Sequence, residues 1–225
     1  MKKNHIVKGV IFDLDGTLLD TLRDLAEAMN VVLKARGLPT YPLEKYRYFV
    51  GEGATVLVKK ALPPRLHQPQ IITEVLQEFL NQYGKNWDIY TQPYPGIPEL
   101  LDTLQAQNII MTILSNKVHD FTVQCAKKFL AQWNFSKIYG ERPNIPRKPD
   151  PAGALAIAKE LSLKPENFVF VGDTAIDMET ANRAGMFGVG VTWGFRPKEE
   201  LIEAGAKAII NKPEELIKII DSHVG

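Results

Sequence analysis

The sequence predicts an α/β fold in which a doubly wound parallel sheet carries an inserted, all-helical domain. From residue 97 onward, compact apolar runs alternate with amphipathic helical patterns, as in parallel sheets that are buried on both faces. One similar apolar run lies near the amino terminus, and a long stretch of purely helical patterns separates it from the others. Polar clusters follow several of these runs directly, which places them at the carboxyl ends of the predicted strands.

The first strand is predicted in the apolar run that ends at Phe12, so Asp13 stands at its carboxyl end. Three helical patterns follow, each bounded by glycine or proline. They cover residues 22–33, 54–62 and 71–83, with Gly84 as the expected end of the third. We therefore predict a wholly helical domain over residues 20–86. Residues 1–19 and 87–225 are predicted to form the discontinuous sheet domain.

The later strands are predicted where short apolar runs stop at polar or glycine residues. They lie at residues 109–114, 168–171, 187–191 and 208–210. A helix through Leu100 and Leu104 precedes them, and further helices are predicted at residues 118–130, 152–161, 178–184 and 197–204. In such a sheet, ligands bind outside the carboxyl ends of the strands.

Four polar clusters should meet at that edge of the sheet. Each alone is also explained by the residue preferences of turns and helix starts. Together they crowd several carboxylates, which repel one another unless a divalent cation with oxygen ligands is bound, and Mg²⁺ suits such a site. The clusters are Asp13-Leu14-Asp15-Gly16-Thr17, Ser115-Asn116, the loop around Lys148, and the segment from Gly172 through Asp173 to Asp177.

Composition excludes several classes of function. Lys+Arg 27 and Asp+Glu 26 give a formal net charge of +1 without a long basic run, so we expect no nucleic-acid partner. No window approaches the roughly 18 apolar residues of a membrane span, and no signal peptide is evident, so we expect a soluble protein with no membrane partner. The single cysteine, Cys125, cannot form an internal disulfide, which fits a cytoplasmic location.

The ordered motifs, from Asp13 through Ser115 and Lys148 to Asp173 and Asp177, resemble those of the haloacid dehalogenase superfamily of phosphohydrolases. The resemblance covers essentially the whole chain. It implies a Rossmann-like core with an inserted helical cap domain. Residues 41–62, 94–96 and 193–197 look, in addition, like the corresponding parts of the phosphoglycolate phosphatases.

The resemblance implies catalytic roles for Asp13, Asp15, Ser115 and Lys148. Asp13 would be the nucleophile that forms an aspartyl-phosphate, and Asp15 would be the acid and then the base. Ser115 and Lys148 would bind phosphate oxygens.

Further roles concern the metal and the substrate. The Asp13 carboxylate, the Asp15 backbone carbonyl and Asp173 would hold Mg²⁺, with Asp177 beside them as a metal-site residue. Substrate contacts are assigned to Thr17, Asn116 and Arg47, where Arg47 either reads a substrate carboxylate or is simply a surface arginine.

The function that follows is a magnesium-dependent phosphatase acting on a small phosphorylated metabolite. The preferred substrate is 2-phosphoglycolate, which would give glycolate and phosphate. A sugar-phosphate mutase or another phosphotransferase on the same fold stays open, as does a receiver-like module that stores phosphate on an aspartate. The protein is expected to be a monomer or a homodimer.

Overall fold

The computed structural model describes residues 6–222. Its main sheet has six parallel strands in the spatial order β5-β4-β1-β6-β7-β8. These strands are β1 (Gly9–Phe12), β4 (Ile110–Val118), β5 (Phe135–Glu141), β6 (Phe168–Gly172), β7 (Phe187–Val191) and β8 (Ala208–Ile210). The chain moves outward from β1 in one direction and then in the other. A binding crevice is therefore expected at the carboxyl end of β1, where this order reverses.

The sheet is buried on both faces, as the continuous apolar runs predict. Val10 and Phe12 join one hydrophobic cluster, whereas Ile11 joins another, because successive side chains of a strand point to opposite faces. The first cluster is completed by helices α5 (Ile97–Ala106), α6 (His119–Phe129) and α10 (Glu215–Asp221). The second is completed by α7 (Ala152–Glu160) and α8 (Ala175–Ala184), while the short helix α9 (Lys198–Glu203) lies between β7 and β8 in the chain.

The insertion after β1 is helical and has its own hydrophobic cluster. Its helices are α1 (Leu22–Ala35), α2 (Leu43–Tyr46), α3 (Ala54–Ala61) and α4 (Pro69–Asn86). A two-stranded antiparallel ribbon of β2 (Leu19–Asp20) and β3 (Gln92–Pro93) joins the places where the chain leaves and re-enters the sheet domain. The predicted fold class, a doubly wound parallel sheet with a helical cap, is confirmed. The outer limits of the predicted sheet domain fall on residues 1–5 and 223–225, outside the described residues.

Two details of the predicted insertion were wrong. Gly84 does not end the third long helix, because α4 continues to Asn86. Glycine inside a helix costs about 1 kcal/mol, but the ring of Phe121 packs against Tyr83 at this turn, with centroids 5.0 Å apart. Nor is the segment 20–86 wholly helical, since Asp20 pairs with Gln92 in the ribbon.

The structure adds elements that the sequence did not predict. Strand β5 and helix α10 were both missed. Strand β4 also runs beyond residue 114 to Val118, with an irregular register between Leu114 and Val118, so Ser115 and Asn116 lie inside this irregular end rather than after the strand. Among residues 6–222, no helix is both long and apolar enough to cross a membrane.

Candidate active site

Three buried carboxylates meet at the carboxyl edge of the sheet. Asp13 follows β1, Asp173 follows β6, and Asp177 lies in the first turn of α8. One carboxylate oxygen from each of the three lies within 4.8 Å of the others. Thr174 caps α8 and donates a hydrogen bond of 2.8 Å from Oγ1 to Asp177 Oδ2, which fixes the Asp177 side chain.

One ammonium group lies among these carboxylates. The Nζ of Lys148 is 2.9 Å from Asp13 Oδ1 and 2.7 Å from Asp177 Oδ1, and its side chain is buried. Burial disfavours the charged ammonium, but the two carboxylates outweigh that effect and hold the pKa of Lys148 above its usual range. Among the described residues, Lys148 thus pairs with two of the three carboxylates, and Asp173 has no ion-pair partner in this group.

Burial and the neighbouring negative charges raise the pKa values of two of these acids. Burial raises the pKa of Asp13 to about 7, because desolvation and the neighbouring Asp177 outweigh the attraction of Lys148. Burial, reinforced by Asp177 and Asp13, also raises the pKa of Asp173 well above its ordinary value. A buried set of oxygen donors with excess negative charge is the donor chemistry of a hard divalent cation. The residues present therefore fit a metal ion such as Mg²⁺.

Two further contacts orient Asp173. Thr17 Oγ1 donates a hydrogen bond of 3.0 Å to Asp173 Oδ1, and the Phe195 backbone N–H donates one of 2.8 Å to Asp173 Oδ2. Partners of this kind fix the oxygens of a metal-binding carboxylate. The Thr17 hydroxyl is thus directed at Asp173, and its predicted contact with substrate stays a prediction.

The Asp15 side chain points to a different partner. Its Oδ1 and Oδ2 lie 3.0 and 3.2 Å from the Nζ of Lys117, which also donates a 2.8 Å hydrogen bond to the hydroxyl of Tyr83 on α4. Sequence reasoning missed Lys117, although it directly follows the Ser115-Asn116 cluster. The predicted metal contact of Asp15 involves its backbone carbonyl and stays a prediction.

Asn116 joins three segments of the site. Its Oδ1 accepts a hydrogen bond of 2.9 Å from the Lys148 N–H. Its Nδ2 donates to the carbonyls of Lys148 (3.0 Å) and Gly51 (3.1 Å), and Gly51 belongs to the helical cap. The side chain therefore holds the Lys148 loop and the cap in place, while its role as a substrate ligand stays a prediction. Ser115 is buried beside it.

A cavity of about 40 Å³ lies between the cap and the sheet edge. Its polar lining includes Asp13, Asp15, Ser115 and Lys117, whereas the cap contributes chiefly apolar side chains such as Leu25, Leu57 and Phe79. Arg47 is exposed, donates a 2.8 Å hydrogen bond from Nη1 to the Gly194 carbonyl, and lines a separate surface cleft beside Trp193. The sequence-predicted residues thus converge, except for Arg47.

Comparison with known proteins accords with this geometry. A family model described as haloacid dehalogenase-like hydrolase matches residues 10–191. The chain is a haloacid dehalogenase-like hydrolase. Among curated relatives of this hydrolase is a phosphoglycolate phosphatase from Aquifex aeolicus, 30% identical over 96% of this chain and 97% of the relative. Another is an N-acetylmuramic acid 6-phosphate phosphatase from Pseudomonas aeruginosa, 32% identical over 97% of each chain.

A solved structure with a similar fold also belongs to a predicted phosphatase. The crystal structure of a predicted phosphoglycolate phosphatase from Haemophilus somnus superimposes with a TM-score of 0.88 at 28% identity, covering 97% of this hydrolase and 99% of that chain. The hydrolase is accordingly a phosphatase of the phosphoric monoester class, similar to phosphoglycolate phosphatases. Membership of this class of enzymes argues against the alternative of a receiver-like signalling module.

Proposed function

We propose that this phosphatase hydrolyses a small phosphate monoester with Mg²⁺, through an aspartyl-phosphate on Asp13. The observation that carries the proposal is the buried group of Asp13, Asp173 and Asp177 with Lys148 at the crevice where the strand order reverses. Asp13, Asp173 and the Asp15 backbone carbonyl would hold the ion, with Asp177 next to them. When bound, Mg²⁺ supplies positive charge opposite the phosphate oxygens.

Asp13 would act as the nucleophile. Its Oδ1 accepts hydrogen bonds from the Leu14 N–H (2.7 Å) and from Lys148, and these fix the orientation of the carboxylate. A carboxylate oxygen of Asp13 attacks phosphorus, and an O–P bond forms as the ester P–O bond breaks. Asp15 donates a proton to the departing alcohol. Lys148 and Ser115 bind the phosphoryl oxygens during this transfer.

Water completes the cycle. It attacks the phosphorus of the aspartyl-phosphate while Asp15 takes up one of its protons, so the bond between Asp13 and phosphorus breaks. Inorganic phosphate leaves, Asp13 is again a carboxylate, and Asp15 is again protonated. A single carboxyl group therefore serves both proton transfers.

The preferred substrate is 2-phosphoglycolate. The names of several relatives support this choice, and so does the small cavity, whose cap side offers few groups that could satisfy the hydroxyls of a sugar. We also propose that residues 20–86 act as a lid that opens to admit this substrate and excludes water when closed. The cytoplasmic location and the monomeric or dimeric state stay predictions.

Phosphate release tests the proposal. The wild type and Asp13→Asn would be assayed with Mg²⁺ or with chelator on 2-phosphoglycolate, N-acetylmuramic acid 6-phosphate and glucose 6-phosphate. We expect rapid release from 2-phosphoglycolate that requires Mg²⁺ and is abolished in Asp13→Asn. Equal turnover of all three esters would remove the substrate assignment only. Transfer of the phosphoryl group to a second alcohol, without free phosphate, would indicate the phosphotransferase alternative.

A further inference from the structure

We propose that Lys117 determines substrate specificity by binding a carboxylate on the leaving group of the phosphate ester. The inference rests on the proposed phosphatase function and deepens it, since it names the chemistry that the cavity selects. The preferred substrates are short phosphorylated hydroxy acids. Their carboxylate is bonded to the carbon that carries the phosphate ester, as in 2-phosphoglycolate, or to the next carbon.

The position of Lys117 carries the argument. Its side chain is only 5% exposed and lines the cavity that also contains Asp13 and Asp15. Among the described residues that line this cavity, Lys117 is the only cation. Lys148 is not part of this lining and faces Asp13 and Asp177. A second anionic group that enters the cavity together with the phosphate therefore has Lys117 as its cationic partner.

Distance selects the part of the substrate that Lys117 can reach. A group that transfers a proton must lie within about 2.6–3.2 Å of the atom that receives it, so the leaving oxygen would lie beside Asp15. The Nζ of Lys117 is 3.0 Å from Asp15 Oδ1. The leaving oxygen and the ammonium therefore share a neighbour, and a carboxylate two bonds from that oxygen falls within reach of Lys117.

The rest of the lining favours the same reading. Leu25, Leu57 and Phe79 offer no hydrogen bonds, and burying a carboxylate among such side chains without a cation is costly. Tyr83 on the cap accepts a hydrogen bond from Lys117, so the ammonium is held at the interface that closes over the substrate. Arg47, the candidate suggested by sequence, lines a different cleft.

The competing explanation is that Lys117 serves only to orient Asp15. The two roles differ in their substrate dependence, because orientation of Asp15 affects every ester. Ethyl phosphate matches 2-phosphoglycolate in length and lacks the carboxylate. The test measures kcat/KM for both esters in the wild type, Lys117→Met, Lys117→Arg and the matched control Lys85→Met, which removes an exposed lysine from α4.

Lys117→Met should lower the preference for 2-phosphoglycolate over ethyl phosphate by about 30-fold or more, as expected when one partner of a buried charge pair is lost. Most of the change should appear in KM. Lys117→Arg should retain much of the preference, and Lys85→Met should retain all of it. Calorimetric titration of both esters into Asp13→Asn, with and without Lys117→Met, measures the same preference as a ratio of binding affinities. Because it needs no turnover, it also applies if Lys117→Met is poorly active.

An equal loss for both esters, in turnover and in binding, would overturn the proposal and leave Lys117 as a positioning residue for Asp15. If Lys117→Met does not fold, Lys117→Gln, which removes the charge but keeps a polar side chain, replaces it, and an unchanged preference for 2-phosphoglycolate in that variant would overturn the proposal as well. Failure of the wild type to release phosphate from either ester would instead contradict the proposed function, so the two failures are distinguishable.

Discussion

The hydroxyl of Thr17 donates a hydrogen bond of 3.0 Å to Oδ1 of Asp173, although 156 positions separate the two residues in the chain. Both side chains are fully buried. Thr17 lies in the loop after β1, and Asp173 follows β6, the strand that pairs with β1. The hydrogen bond thus connects the loops of two neighbouring strands and fixes a carboxylate that we propose as a metal ligand.

Replacement of Thr17 by valine should weaken metal binding. Valine keeps the shape but removes the donor, and loss of such a partner typically costs 10–100-fold in metal affinity. We expect the Mg²⁺ concentration for half-maximal activity to rise by about that factor, with KM for 2-phosphoglycolate nearly unchanged at saturating Mg²⁺. Thermal unfolding with increasing Mg²⁺ measures the same affinity without turnover, and Thr17→Ser should behave like the wild type.

A rise in KM at saturating Mg²⁺, with unchanged metal affinity, would instead support the sequence-based prediction that Thr17 contacts substrate.

Three consecutive carbonyls of the cap accept hydrogen bonds from the sheet domain. Arg196 Nη2 donates to the Val50 carbonyl (3.0 Å), Asn116 Nδ2 donates to the Gly51 carbonyl (3.1 Å), and Arg147 Nη1 donates to the Glu52 carbonyl (3.3 Å). The next residue, Gly53, has a φ of +92°, and a Cβ atom there would lie 2.7 Å from Arg147 Nη1. The backbone conformation therefore favours glycine, and an added Cβ would also lie 3.2 Å from the Asn116 carbonyl, which can move less readily than the end of the Arg147 side chain.

Gly53→Ala should disturb closure of the cap, whereas Gly37→Ala should not. Gly37 has a φ of +66°, near the left-handed helical region, where an alanine costs about 1–2 kcal/mol. Gly53, with a φ of +92° and a ψ of 166°, lies in a region that is essentially restricted to glycine. Only at Gly53 does the added methyl meet neighbouring atoms, since nothing lies within 4 Å of the corresponding position at Gly37. We expect comparable or greater loss of unfolding free energy in Gly53→Ala, and a fall in kcat/KM in that variant alone. Equal kcat/KM in the two variants would contradict this account.

Arg47→Ala should leave KM for 2-phosphoglycolate within about 2-fold of the wild-type value, since single surface side chains away from a site usually have small effects. Arg47 donates to the Gly194 carbonyl and lines a cleft apart from Asp13. Steady-state kinetics on matched preparations provide the measurement. A large increase in KM that is absent with ethyl phosphate would restore Arg47 as the carboxylate-binding residue.

Cys125 should be unreactive in the folded protein. It is fully buried, and burial raises the pKa of its thiol to about 11. The thiolate is the reactive form, so at pH 8 only about one molecule in a thousand carries it. We expect no reaction with a disulfide reagent at pH 8 under native conditions and complete reaction of one thiol in denaturant. Rapid native reaction would show that α6 opens readily.

Local sequence predicted the parts of the fold in which burial is uniform. Strands β1, β6, β7 and β8 were found because each is a compact apolar run, and their carboxyl ends were expected to gather the polar motifs because parallel strands end at one edge. Strand β5 was missed because Phe135–Glu141 mixes charged and apolar residues and is largely half-buried at the edge of the sheet.

The sequence by itself determined the fold class, through apolar periodicity, and most of the residues that meet around Asp13, through motifs at strand ends. The family followed from the resemblance of those motifs, whereas Lys117 was missed. Only the tertiary structure decided which partner each polar side chain takes. Thr17 faces Asp173, Asn116 holds Gly51, and Lys117 joins Asp15 to Tyr83. These pairings depend on the order of strands and the closure of the cap, which bring distant residues within hydrogen-bonding distance, and no local pattern records such distances.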